Sequence, residues 1–244
     1  MGSSGRRMPV VAIDGPGSSG KSTVGAAAAA RLGFRFCDTG LFYRAVAWLA
    51  LERGVAPDDG PALAGLVGEV EVLPDELGRY SRVVVAGREV GDLLRGPEID
   101  AASSRAARQP ALREALLGRQ RALANGGGIV MAGRDIGTVV LPGADVKLYI
   151  DASLDQRARR RAAQRGIAHD VPRAVAIRDE LQTRDGSDAG RTAAPLRIAE
   201  DAIVIDTDRL DVESSVDAVV AAIHGHAARP GVPGEGATDR PAGT

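Results

Sequence analysis

The chain of 244 residues contains one cysteine, Cys37, two lysines, Lys21 and Lys147, three histidines, and no run of about 18 apolar residues. Each shortage excludes something. A single thiol makes no intramolecular disulfide and no cysteine-cluster metal site, and it suits a reducing compartment. His169, His224 and His226 stand far apart or near the C-terminus, without metal-ligand spacing. Lack of a long apolar run excludes a transmembrane helix of ordinary length. Residues 1–8 carry serines and arginines but no apolar h-region, so they read as a leader or an expression remnant, not a secretory signal. Excess charge of either sign is missing too: 31 basic against 32 acidic residues leave a net charge of −1, which excludes a strongly basic nucleic-acid-coating protein. Neither nucleic acid nor membrane is an expected partner, the expected location is the cytoplasm, and the expected state is a monomer. With only two lysines, 29 of the 31 basic residues are arginine. Arginine-favouring codon usage accounts for most of that skew, because the exchange is usually neutral on a solvated surface. The lysines that survive are the ones to explain.

At 44% hydrophobic and 26% charged, the chain can bury a sizeable core. Pro9 to Asp14 is an apolar run ending at a glycine-rich turn, and a helix-forming stretch with five consecutive alanines follows from Lys21 to Leu32. Phe34 to Asp38 is a second apolar run, and Phe42, Ala45, Val46 and Leu49 then recur at helical spacing between Gly40 and Arg53. That βαβα order predicts an α/β fold with a parallel sheet and helices on both faces. Gly128 to Met131, Val146 to Ile150 and Ala202 to Asp206 bring the expected parallel strands to five. Between Val70 and Leu94 three short β-prone runs predict a small antiparallel meander inserted into this body. Helices are expected over Pro97 to Ala107, Ala111 to Ala124, Leu154 to Arg165, Arg173 to Arg184 and Glu213 to Ile223, with Gly186 to Arg191 as a flexible link. The expected folded domain is 9–226, with a core of 9–65 and 96–226, an insert at 66–95 and a Pro/Gly-rich disordered tail at 227–244.

The sharpest motif is Gly15-Pro16-Gly17-Ser18-Ser19-Gly20-Lys21-Ser22, which fits G-x-x-x-x-G-K-[ST] between a predicted strand and a predicted helix. Its glycines let backbone N–H groups converge on phosphate oxygens, and the helix N-terminus adds partial positive charge. Lys21 supplies a mobile point charge for the β- and γ-phosphates, and the Ser22 hydroxyl is placed to ligate Mg²⁺. A Gly/Ser linker ending in Lys-Ser would lack this strand-loop-helix context. The motif specifies a nucleoside triphosphate but not the reaction. Guanine readers carry Asn-Lys-x-Asp; Lys147 sits in Asp-Val-Lys-Leu, so that motif is absent.

Asp38-Thr-Gly-Leu-Phe-Tyr-Arg44 follows the second strand and Gly133-Arg134-Asp135-Ile-Gly137 follows the third, at the strand ends where parallel sheets bind ligands. Taken singly, Asp38 or Asp135 reads equally as a helix N-cap, and Arg44 or Arg134 as an ion pair. At neighbouring strand ends they read as anion clamps beside carboxylates.

These motifs resemble the bacterial cytidylate kinases, P-loop nucleoside monophosphate kinases, from about Val10 to Ile223. The resemblance is carried by Ile13 to Thr23, Asp38 to Arg44, Ala102 to Ser104 with Arg113 to Leu116, Gly133 to Val140, and Arg184 to Leu196, together with the inserted meander. It implies an enlarged monophosphate-binding insert and a mobile lid at about 154–191, whose Arg157, Arg160 and Arg161 close over ATP. It implies that residues Gly15 to Thr23 bind ATP, that Thr39 lies in the CMP site, and that Arg44, Arg134 and Arg191 hold the CMP phosphate. Ser104, Arg113 and Asp135 would read cytosine, and Arg184 with Asp188 the ribose. The implied reaction is Mg²⁺-dependent transfer from ATP to CMP, and to dCMP, with Lys21, Arg134, Asp135 and Arg191 at the chemistry. A departure stands at Ala132, where the family commonly has an acidic residue near the metal. Asp14 and Asp135 both remain candidates for the metal's water shell. A kinase for UMP or another monophosphate, and a nucleotide-binding module without turnover, also remain open at this point.

Overall fold

A computed structural model describes residues 7–167 and 171–227. The expected leader, apart from residues 7 and 8, and the expected tail from 228 on lie outside them, as does His169. The five apolar runs form β1 (Val10–Asp14), β2 (Arg35–Asp38), β6 (Ile129–Ala132), β7 (Val146–Asp151) and β8 (Ile203–Asp206). They lie in the order β2-β6-β1-β7-β8, all parallel, so every one of them ends at the same edge of the sheet. In β1 all five residues are buried, which explains an apolar run without alternation.

Helices cover both faces. On one, α1 (Lys21–Leu32) and α8 (Val212–Ala227) pack Val24, Ala28, Val216 and Val219 against Val11, Ile13, Val130 and Leu148. On the other, α2 (Gly40–Glu52), α3 (Gly60–Leu66) and α5 (Pro110–Leu123) bring Phe42, Val46, Leu63, Leu112 and Leu116 onto Ala12, Cys37 and Met131. Cys37 is fully buried there, and burial pushes its thiol up, away from the reactive thiolate. The short α3 lacks an apolar run long enough to show a helical period; its start is set by Asp59, whose side chain accepts from Ala62 N.

The meander comprises β3 (Val70–Pro74), β4 (Arg79–Val85) and β5 (Arg88–Glu89). It does not form a sheet of its own. β4 pairs in parallel with β2 through Phe36 with Arg79 and Cys37 with Tyr80, so the antiparallel strands continue the central sheet. It is followed by α4 (Pro97–Ala106), which packs on α2.

After β7, α6 (Leu154–Gln164) starts at Ser153, whose hydroxyl accepts from Gln156 N, and α7 (Val171–Ala189) runs back against it. Ala158, Ala162, Ile177 and Leu181 form a small core separate from the two main ones. The link expected at Gly186 to Arg191 is helical as far as Ala189. The reason is tertiary: Asp188, in the last turn, is wholly buried between Arg134 and Arg191, and those ion pairs hold a glycine-containing turn that propensity alone would fray.

Candidate active site

The ends of β1, β2 and β6, the meander, α4 and the α6–α7 pair surround one cleft of about 1900 Å³, about twice the volume of a site for a single small ligand. Its floor is the loop between β1 and α1. Gly15 has φ +149°, and a Cβ there would sit 2.1 Å from the Ile150 carbonyl oxygen, so only glycine fits. Gly20, at φ +100°, directs the chain into α1. Lys21 is buried and donates to Pro16 O at 2.7 Å, which curls the loop over its own ammonium. Burial, and then Arg134 beside it, push the Lys21 ammonium well below the usual lysine range; an arriving phosphate reverses that trend by supplying negative charge. The Ser19 hydroxyl is buried here with no hydrogen-bond partner among the described residues.

Next along the sheet edge, Asp38 closes β2. Its Oδ1 accepts from Gly40 N at 2.9 Å, and its Oδ2 accepts from the Ser22 hydroxyl at 2.5 Å. It is thus both a turn cap and a carboxylate beside the loop serine. Thr39 bonds back to Ala132 O through both its N–H and its hydroxyl, each at 3.0 Å. Gly133 lies so close that a Cβ would come within 2.7 Å of the Thr39 hydroxyl and the Ile136 side chain.

The turn after β6 carries Arg134 and Asp135 and continues into a π-helical turn at Ile136–Val140. Asp14 holds it from below: its two carboxylate oxygens accept from Ile136 N and Gly137 N, each at 2.7 Å. Burial pushes the Asp14 carboxyl up to about 6, although those two N–H donors pull the other way. Asp135 is paired with Arg113, which also lies over the Tyr43 ring at 5.6 Å and donates to Ala107 O. Arg134 Nε donates to Asp188 at 2.9 Å, and Arg191 takes the other Asp188 oxygen. Burial would raise the Asp188 carboxyl, yet Arg134 and Arg191 hold it below the usual carboxylate range. Burial also pushes Arg184 down to about 10, and its Nε has no protein partner.

A pattern of one lysine in a backbone cradle facing a field of arginines fits a protein that brings two phosphorylated molecules together. The family model described as cytidylate kinase matches residues 11–225.

This chain belongs to the cytidylate kinase family.

It is 43% identical to a cytidylate kinase of Geobacillus sp. (strain WCH70), over 88% of this chain and 96% of that protein. With the cytidylate kinase of Geobacillus thermodenitrificans (strain NG80-2) the identity is 46%, over 83% of this chain and 91% of that one. It is also 44% identical to a bifunctional pantoate ligase/cytidylate kinase of Synechococcus sp. (strain CC9902), over 88% of this chain but only 45% of that longer protein. As a family member the chain is a P-loop nucleoside monophosphate kinase and a phosphotransferase.

Within a cytidylate kinase frame, the cleft brings together the loop residues Gly17 to Thr23 with Thr39, Arg44, Arg113, Arg134, Asp135, Arg161, Arg184, Asp188 and Arg191. Gly15 and Pro16 lie beneath the lining: Gly15 is packed on Ile150, and Pro16 accepts from Lys21. Two more of the expected site residues lie outside the cleft lining. Ser104 does not line the cleft; Ser103 does, one position earlier on α4, with its hydroxyl bonded to Asp100 O at 3.1 Å. Arg157 is not a lid side chain facing the nucleotide. It is buried under the loop, donating to Ala152 O at 2.9 Å and Gly17 O at 3.3 Å and paired with Asp185 at 2.6 Å, because it is the α6 arginine turned toward the sheet. Its neighbour Arg160 reaches the loop too, from the cleft lining, donating to Ser19 O at 3.0 Å and Thr207 O at 2.7 Å.

Ala132 pairs across the sheet with Asp38, so the carboxylate beside Ser22 comes from the adjacent strand. Both oxygens of Asp14 serve the 136–137 turn, and Asp135 serves Arg113. The clue to Asp38 was its place at the end of β2, which β6 separates from β1. Asp100 had no clue: it is buried on α4 and accepts from Arg44, Arg161 and Arg165.

Proposed function

We propose that the chain transfers the γ-phosphoryl group of ATP to CMP and dCMP, giving ADP and CDP or dCDP, as a cytoplasmic monomer of pyrimidine nucleotide metabolism. The observation that carries the choice of base is the Arg113–Asp135 pair over Tyr43. Cytosine presents an amino donor beside two acceptors, so a carboxylate next to a guanidinium complements its edge. Uracil reverses the pattern at two positions and leaves groups mispaired. Ser104 is the hydroxyl we assign to the same edge of the base.

Donor phosphates belong to the loop amides and Lys21, the acceptor phosphate to Arg44, Arg134 and Arg191, and the ribose to Arg184 and Asp188. We assign 66–95 to the acceptor side and 154–191 to the lid, with Arg160 and Arg161 as its donor-facing cations. An acceptor phosphate oxygen attacks the γ-phosphorus in line, the bond to the β-bridging oxygen breaks, and ADP leaves with that oxygen's charge. The attacking oxygen is already anionic, so no base is required. Lys21, Arg134 and Arg191 offset the repulsion between the two anions and hold the reacting atoms in line. Ser22 and Asp38 supply hard oxygen donors 2.5 Å apart, a donor set that suits Mg²⁺ carried in with ATP and its waters. The metal, when bound, neutralises charge on the β- and γ-oxygens.

A coupled ADP-release assay across CMP, dCMP, UMP, AMP and GMP tests this reading. CMP and dCMP should lead; equal use of UMP would break the base assignment, and no monophosphate-dependent release would break the reaction.

A further inference from the structure

Asp100 has no place in the reaction as described, yet it is 4% exposed and among the most heavily contacted carboxylates of the cleft. Its Oδ1 accepts from Arg44 Nη1 at 2.6 Å. Its Oδ2 accepts from Arg161 Nη2 and from Arg165 Nη2, the latter at 3.3 Å. Burial would raise its carboxyl, but Arg44 and Arg161 hold it below the usual range, with Arg184 adding to them.

These arginines come from different bodies. Arg44 is on α2, which packs with α4 on the main core; Arg161 is on α6, Arg165 directly follows it, and Arg184 is on α7, the pair with its own small core. One carboxylate therefore ties the acceptor clamp to the α6–α7 unit. The cluster is also short of negative charge. Arg44, Arg134, Arg161, Arg165, Arg184 and Arg191 face Asp100, Asp188 and Glu180, six guanidiniums against three carboxylates. A carboxylate in a guanidinium fork uses the same donors that a phosphate uses. A monophosphate brings more charge, about −1.5 to −2, and three acceptor oxygens, so it outcompetes a single carboxylate for them.

We propose that Asp100 is a positioning residue: a built-in counter-anion that keeps Arg44 and the lid arginines paired with it until the acceptor phosphate displaces it, so that the lid cations reach the reacting phosphates only when an acceptor is present. The consequence is suppression of ATP hydrolysis, in which water would take the acceptor's place. The inference rests on the assignment of Arg44 to the acceptor phosphate.

Wild type, Asp100→Asn, Asp100→Glu and Arg165→Met are compared for ADP release with and without CMP, for KM, and for melting temperature with and without inorganic phosphate. In Asp100→Asn the ratio of acceptor-independent to CMP-dependent release should rise roughly fivefold or more, the lower range of a coupling between two sites. KM for CMP should fall, and inorganic phosphate should raise the variant's melting temperature more than the wild type's. Asp100→Glu should restore the low ratio. Arg165→Met, which loosens one arm of the link, should move the ratio the same way by less, and it reports the effect even if Asp100→Asn does not fold. A wild-type ratio in folded Asp100→Asn, or in Arg165→Met if the former does not fold, overturns the proposal. Wild-type release with CMP is read separately, so a failure of the phosphotransfer itself is distinguishable from a failure of this coupling.

Discussion

Around the donor loop the backbone does the holding, and the arginines that reach it, Arg157 and Arg160, donate to its carbonyls and not into the cradle. Gly15 and Gly20 adopt conformations that place amide groups toward one point, Lys21 is the single ammonium, and its one bond is to Pro16 O. Across the cleft the reverse is true. Arg44, Arg113, Arg134, Arg161 and Arg191 supply the charge, and each is already paired with Asp100, Asp135 or Asp188. A backbone cradle costs no rearrangement when phosphate arrives, because its donors have no better partner. A paired guanidinium must exchange one anion for another, which makes binding on that side conditional. The difference also separates the two cations by shape. A flexible ammonium follows a migrating phosphoryl group, whereas a planar fork fixes a phosphate that must stay in place.

Removing the donor-side charge should have the largest effect. Lys21→Ala is expected to lower CMP-dependent turnover roughly a thousandfold, about 4 kcal/mol in the transition state, with the fold retained by circular dichroism. Lys21→Arg should not rescue it; near-wild-type turnover in either variant would erase the contrast between the two sides.

A second effect lies where the sides meet, at Asp14, which ends the donor strand and carries the acceptor turn. Its carboxyl sits at about 6 in the folded protein against an ordinary value of 3.8. The folded state therefore binds this proton more tightly, and the contribution is full below about 3.8 and is lost as pH rises through about 6. That gap corresponds to about 3 kcal/mol at most. Urea denaturation between pH 4 and 7 should show a falling component that Asp14→Asn removes.

On the acceptor side, Arg113→Met should narrow the preference for CMP over UMP by about 1–3 kcal/mol in kcat/KM, roughly 5–150-fold, while leaving KM for ATP nearly unchanged. An equal loss on both bases would assign Arg113 to folding instead of reading. Smallest of all is Lys147. It pairs with the exposed Asp201 at 2.9 Å, and its stem lies against Gly137. Lys147→Met should cost less than about 1 kcal/mol of stability and leave turnover within about twofold.

How much of this was legible in the residues depended on the range of the interactions. The strand-loop-helix at Val10 to Leu32 was, because its apolar run, glycines and alanine stretch act over neighbouring positions. The three short runs from Val70 to Glu89 were legible as strands, but not their junction with β2, because pairing is a matter of register between distant segments. Arg157, Arg160 and Arg161 have the same chemistry within two turns of one helix, and only the docking of α6 decides that Arg157 is buried against Ala152 and Gly17, Arg160 reaches Ser19 and Thr207, and Arg161 meets Asp100.

The sequence alone determined the nucleotide loop and the parallel α/β order, since these follow from residue type and local spacing. The scarcity of lysine thus singled out Lys21, while the reason for Lys147 became visible only in its packing. Tertiary structure decided which carboxylate each arginine meets. Asp38 reaches Ser22, Asp188 holds a glycine-containing turn in α7, and Asp100 gathers arginines from α2 and the end of α6. Charge pairs act through space over a few ångströms, and only folding brings residues such as Asp100 and Arg165, 65 positions apart, to that distance.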